Sequence, residues 1–211
     1  FLKLKIMKIL MISSTGKVGG GPSHIFMLIK LLSKHFELFL AMPKNNYSKS
    51  NLDFLKLKNF ISINERKVSL FDILKLYKYI KKNDIKIIHS HGKGAGLIGR
   101  ILAILLNRKH IHTYHGIHLR CHSFLSRLFY IFYENLFKNL DSARIFVSES
   151  EKNYAIDSGI RLSKISIIIP NGVNLKERIN KSNKIKIRNN IRKKLNIESN
   201  QICVITLARL V

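Results

Sequence analysis

The residues best suited to chemistry in this chain are histidines and glycines. Seven of its nine histidines fall between positions 89 and 122. His91 and His115 differ from the rest, because each closes a short apolar run and is followed by glycine (His91-Gly92, His115-Gly116). An imidazole there can hydrogen-bond a ligand or move a proton near neutral pH; it can equally be a turn residue bonded to its own backbone. His89/His91 and His110/His112 each alternate along a strand and so share a face. No carboxylate or cysteine sits at ligand spacing among them, and no metal is expected.

A glycine-rich stretch, Gly16-Lys-Val-Gly-Gly-Gly21, follows the first apolar run. Gly19, Gly20 and Gly21 would let backbone N–H groups approach an anion at the start of a helix. The stretch lacks the GxGxxG spacing, and the second strand ends in Ala41-Met42-Pro43 without a carboxylate for a ribose. Dinucleotide binding is therefore disfavoured, and the absence of GxxxxGK[ST] excludes a P-loop.

These residues need a scaffold, and the hydrophobic pattern supplies one. Strands are expected at Lys8–Ser14, Glu37–Met42, Phe60–Ile63, Ile85–Ser90, His110–Tyr114, Arg144–Ser148, Ile165–Ile169 and Gln201–Leu207. Helices are expected at Pro22–His35, from Ser69 to near Asn83, at Ala95–Leu106 and Ser123–Leu140, and from Ser148 to Gly159. Ser69 with Asp72, and Ser148 with Glu151, have capping-box spacing. Leu70, Ile73, Leu74, Tyr77 and Ile80 mark the buried face of the second helix. Asn45–Lys58 reads as a polar loop, and Phe124–Phe137 as a core helix in preference to a membrane-surface one. Strand-helix alternation of this kind predicts an α/β, Rossmann-like, doubly wound parallel sheet.

Composition narrows the partners. The chain is 46% hydrophobic and 24% charged, enough apolar residue for a core, with a formal charge of +26. That excess favours anionic partners, although crowded Lys, Ile and Asn are also what an AT-rich coding sequence produces. The basic segment Lys184–Lys194 has no interleaved aromatics, and no helix-turn-helix, RNA-recognition or zinc-finger pattern occurs, so no nucleic-acid partner is expected. Cys121 and Cys203 lie far apart, which fits a reducing cytoplasm. Met7-Lys8-Ile9-Leu10 has the look of a natural start, so residues 1–6 are expected to be upstream sequence.

The ordered segments KILMISS, GGGPSH, IIHSHG, HTYHGIH, ARIFVSESE, IIIPNGVN and VITLARLV resemble the family-4 retaining glycosyltransferases of bacteria, from Met7 to Val211. The resemblance implies the N-terminal half of a GT-B fold. Residues 7–175 would form the acceptor-binding domain, 176–200 a linker with a basic helix, and 201–211 the first strand of a truncated donor-binding domain. It implies that His115 contacts the donor sugar, that Gly19–Gly21 and Arg209 approach the donor diphosphate, and that His91, Lys93 and Tyr114 serve the acceptor. It implies a nucleotide-sugar as substrate, no cofactor and no metal. The acceptor would be a glycan or lipid-linked one of cell-envelope polysaccharide or lipopolysaccharide synthesis, met in the cytoplasm or at the anionic inner face of the membrane. Ala208 replaces the family's usual Gly before that Arg, and Pro22-Ser23 replaces the acid often found after the glycines. The other class is a non-catalytic basic domain that binds nucleic acid or an anionic membrane surface.

Overall fold

The computed structural model describes residues 6–172 apart from 56, 58, 118 and 120–122, and residues 181–206 apart from 199. Of residues 46, 47, 54, 55, 181 and 182 it gives the backbone alone. The chain divides after Gly172 into two compact units.

In the first unit, seven parallel strands lie in the order β3-β2-β1-β4-β5-β6-β7. They are β1 (Lys8–Ser13), β2 (Glu37–Met42), β3 (Phe60–Ser62), β4 (Ile87–His91), β5 (Lys109–Thr113), β6 (Asp141–Phe146) and β7 (Ser166–Ile168). The helices between them are α1 (Gly20–Leu32), α2 (Asn46–Leu55), α3 (Leu70–Asn83), α4 (Lys93–Leu106), α5 (Phe124–Leu136) and α6 (Glu149–Asp157). β1 and β2 are buried along five of their six residues because helices cover both faces. On one face Leu10, Ile12, Phe39 and Ile88 pack against Ile73, Leu76 and Ile80 of α3 and Ile98 and Leu102 of α4. On the other, Ile9, Met11, Leu38 and Leu40 meet Ile25, Phe26 and Ile29 of α1 and Leu52 of α2. The doubly wound sheet expected from the alternation is the observed one.

Several local expectations are corrected. The segment read as a polar loop contains α2. Asn45 Oδ1 accepts from the Ser48 N–H (2.9 Å) while its own N–H donates to Ser48 Oγ (2.8 Å), a reciprocal cap that starts the helix. Ser69 makes no side-chain cap to α3. Asp72 instead accepts from the backbone and side-chain nitrogens of Asn64 (3.0 and 2.9 Å) and is buried there. Leu70 and Leu74 face solvent, and Leu76 takes the core position. The cap of α6 forms as expected, with Ser148 Oγ accepting from the Glu151 N–H.

The helix α5 is not a core helix. Glu134 is its one fully buried residue, while Phe124, Leu125, Phe129 and Phe132 are 65–77% exposed. Only Tyr130 and Ile131 reach the small core formed by Tyr114, Phe146, Ala155 and Ile160.

The second unit holds a basic helix, α7 (Lys181–Lys194), whose described residues are exposed except for a half-buried Arg192. The Arg192 guanidinium donates to the carbonyls of Glu198 and Gln201, which folds the following turn back on the helix. Residues 202–206 form no regular element, with Ile202, Val204 and Ile205 exposed, so the strand expected from Gln201 is not seen in its described part.

Candidate functional site

The strand order runs outward from β1 to β3 and then resumes on its other side at β4. The connections leaving the carboxyl ends of β1 and β4 therefore run to helices on opposite faces of the sheet, and ligands of open α/β sheets bind in the crevice so formed. His91 is the last residue of β4, paired with Ser13 at the end of β1. His115 follows β5 by two residues, and Gly116 behind it has φ +99, a conformation that lets the chain turn sharply. The Gly116 N–H is held by Glu151 Oε1 at 2.6 Å, so the base of α6 fixes that turn.

His91 Nδ1 and His115 Nε2 meet at 3.1 Å. A third imidazole, His24 in the first turns of α1, stands edge-on to His115 with ring centroids 5.2 Å apart. Burial pushes the His24 pKa down, and burial followed by the neighbouring His24 pushes His115 down to about 4. His91 is pushed well below its ordinary value, first by burial and then by His89. All three are neutral at pH 7. They offer hydrogen-bond donors, acceptors and nitrogen lone pairs, but no positive charge.

The glycines lie beside them. Gly19 is the extended N-cap of α1, and Gly20 and Gly21 are already in its first turn instead of a preceding loop. Helix-terminal N–H groups there are free of intrahelical acceptors. A Cβ on Gly21 would rest 3.6 Å from the His115 ring, whereas Gly19 and Gly20 face open space. Thus α1, β4 and the β5–α5 connection bring three of the expected residue groups to one crevice.

Two expectations are placed elsewhere. Tyr114 is buried, its hydroxyl donates to Glu134 Oε2 (2.6 Å) and its ring stacks on Phe146, so it cannot meet an acceptor. Lys93 opens α4 with its ammonium 4.6 Å over the Tyr130 ring, a cation–π contact at the margin of the crevice. Arg209 lies outside the described residues.

His110 and His112 belong to a different structure on the opposite sheet face. His110 Nδ1 donates to Asp141 Oδ1 (2.6 Å), which leaves Nε2 to accept from Ser90 Oγ (2.9 Å). Ser90 Oγ then accepts from His112 Nδ1 (2.8 Å). Asp141–His110–Ser90 has the bonding order of a nucleophilic triad. All three residues are buried, and Gly96 and Gly99 of α4 sit directly over the rings. No substrate reaches them. The same cluster holds the Arg100 guanidinium between Glu134 (3.0 and 2.8 Å) and Asp141 (3.1 and 2.7 Å), with Arg144 Nε on Asp141 (2.7 Å). Burial alone would raise the Asp141 carboxyl, but hydrogen bonds from His110 and Arg100 outweigh it and hold the pKa below the carboxylate range.

A parallel doubly wound sheet with a polar crevice at its switch point is a Rossmann-like architecture shared with GT-B glycosyltransferase structures. Residues 18–177 match the Glycosyltransferase Family 4 domain, and the chain belongs to that family. No curated protein matches it significantly in sequence. Among solved structures, Anabaena Alr3699/HepE in complex with UDP-glucose is similar at TM-score 0.72 and 18% identity, over 92% of this chain and 51% of that one. A glycosyltransferase from Rickettsia africae aligns at TM-score 0.67 and 18% identity, over 93% and 51%. Acinetobacter baumannii MurG aligns at 0.52 and 12%, over 83% and 50%. The chain spans about half the length of these solved relatives. No described helix is long and apolar enough to cross a membrane.

Proposed function

We propose that this domain serves a retaining glycosyltransferase that moves a sugar from a nucleotide-sugar to a glycan or lipid-linked acceptor in cell-envelope polysaccharide synthesis. The observation that carries the reading is the meeting of His115 with the N-terminus of α1 at the switch point of a family-4 domain. The helix N-terminus favours the donor diphosphate, since its N–H groups point outward along a favourable dipole. His115, neutral at pH 7, hydrogen-bonds a hydroxyl of the transferring sugar and holds the sugar with its leaving-group face toward the acceptor hydroxyl, as retention requires. Departure of the diphosphate needs a cationic clamp, which neutral histidines cannot supply; Arg209 has that role. In this reading His91, with Lys93 at the margin of the crevice, serves the acceptor. The complex of HepE with UDP-glucose supports a nucleotide-sugar as donor.

The exposed face of α5 supports docking at an anionic membrane, where a lipid-linked acceptor resides. Phe124, Leu125, Phe129 and Phe132 are available to enter the interface while the +26 charge draws the chain to acidic headgroups. The first unit on its own, Phe1–Gly172, should not transfer sugar, because one wall of a cleft cannot exclude water or clamp diphosphate.

The test is kcat and donor KM for His115→Ala, with circular dichroism as the folding control, in a chain that carries a donor-binding domain. Loss of a contact made in the transition state lowers kcat ten- to a thousand-fold, about 2–4 kcal/mol, with a smaller change in KM. Arg209→Ala should raise donor KM as well. Near-normal turnover by folded His115→Ala would return His115 to the role of a turn residue.

A further inference from the structure

We propose that His24, His91 and His115 form a three-imidazole binding site for a divalent transition-metal ion at the switch point of the sheet. One ring nitrogen from each residue lies within 4.8 Å of the others. Tetrahedral zinc holds nitrogens at about 2.0–2.1 Å, which sets them ~3.4 Å apart. His91 Nδ1 and His115 Nε2, at 3.1 Å, already stand close to that separation. His24, half-buried on α1, brings its ring nitrogen within 4.8 Å of both.

The surroundings favour coordination over a closed hydrogen-bond network. His91 Nε2 is buried and has no hydrogen-bond partner among the described residues, so no protein group fixes which nitrogen of that ring carries its proton. When the ion takes the paired nitrogens of His91 and His115, each ring keeps one proton on its other nitrogen and no net proton need leave. The donor set contains no carboxylate and no thiolate. Neutral imidazoles select zinc, cobalt, nickel or copper over magnesium, calcium or manganese, which prefer oxygen. Three protein ligands leave the fourth position to water or to an oxygen of a bound ligand. His24 and His115 are both partly exposed, so an ion has a path in from the crevice.

The three ligands come from α1, the end of β4 and the turn after β5, elements fixed by the sheet. The site is thus largely built before the ion arrives. It shares His91 and His115 with the transfer reading, but it is measured without any sugar, so the two can fail separately.

The experiment is titration of the purified 211-residue chain with Co²⁺, read from the visible d–d absorption of four-coordinate cobalt. One equivalent should bind, Zn²⁺ should displace it and a hundredfold excess of Mg²⁺ should not. His24→Gln, a half-buried change that leaves the core intact, should weaken binding at least tenfold. His35→Gln, on the exposed end after α1, and Cys203→Ser should leave it unchanged. Circular dichroism checks each variant. Failure of the chain to develop the cobalt spectrum would overturn the proposal, and so would a spectrum indifferent to His24→Gln or lost in Cys203→Ser.

Discussion

Removing one charge from the buried network under α4 should cost the domain a large part of its stability. Arg100, Arg144, Glu134 and Asp141 are at most 3% exposed and sum to zero charge. Asp141 has both oxygens committed, Oδ1 to Arg100 and His110 and Oδ2 to Arg100 and Arg144. In Asp141→Asn one oxygen becomes an amide whose hydrogens face N–H donors. Two charge-assisted bonds are lost and one cation is left unbalanced in a dry site. Breaking a buried pair in this way costs about 3–5 kcal/mol. A domain of this size has about 5–15 kcal/mol in total. With a urea slope of about 2 kcal/mol per molar, the midpoint should fall by roughly 2 M. The assay is urea unfolding followed by far-ultraviolet circular dichroism. Asp84→Asn, which loosens the exposed pair with Lys86, is the control and should shift stability by under about 0.5 kcal/mol. A shift for Asp141→Asn no larger than the control, at unchanged slope, would show that water reaches the network and would refute the reasoning.

Gly99→Ala should destabilise by about 1–3 kcal/mol in the same assay, because its Cβ would stand 2.6 Å from a His110 nitrogen that Ser90 holds in place. Gly19→Ala, facing open space, should have little effect. Burial, and next the nearby Arg100, holds His112 neutral with its pKa well below the usual value. A ring depressed in this way gives its full stabilisation above the unfolded pKa of ~6.5 and loses it as pH falls further, by about 1.4 kcal/mol at pH 5.5. His112→Gln should therefore flatten the fall of stability between pH 7.5 and 5.5, and an unchanged slope would mean that the ring is protonated in the fold. Sedimentation with acidic vesicles should capture the chain at low salt and release much of it near physiological salt, where the Debye length is ~8 Å. Phe129→Ser with Phe132→Ser should weaken capture, and equal binding to neutral vesicles would remove the electrostatic part of that account.

The sheet was legible because its signal is local. β2 begins and ends where the apolar run does, and every expected strand of the first unit appears within a few residues. The glycines and the two strand-end histidines were legible for the same reason. What the sequence hid depends on partners distant along the chain. His24 lies 67 residues before His91 and becomes its neighbour only because β4 is laid beside β1; no spacing rule marks it. Asp72 had the spacing of a cap, and Asn64 outcompeted Ser69 for it. Tyr114 carried a strand-end position into a buried ionic cluster in which Arg100, Glu134 and Asp141 stand on three separate elements. The exposed face of α5 has the same composition as a core face, and periodicity cannot distinguish the two.

The buried guanidinium of Arg100 also limits how this sequence can drift. Elsewhere the chain is saturated with lysine, and at the fully exposed positions of α7, such as Lys184 and Arg188, either basic residue serves equally well. At position 100 the side chain supplies four hydrogen bonds to two carboxylates from one planar fork. A lysine ammonium has three donors at a single point and is more strongly hydrated, so it could neither span both carboxylates nor enter as cheaply. The same holds at Arg144, whose three nitrogens reach Asp141 and the carbonyls of Glu134 and Arg161. A codon bias toward lysine can rewrite the surface freely, but it must stop at these two positions. Escape would require replacing both arginines and both acids together, a fourfold change whose single steps each leave a stranded charge.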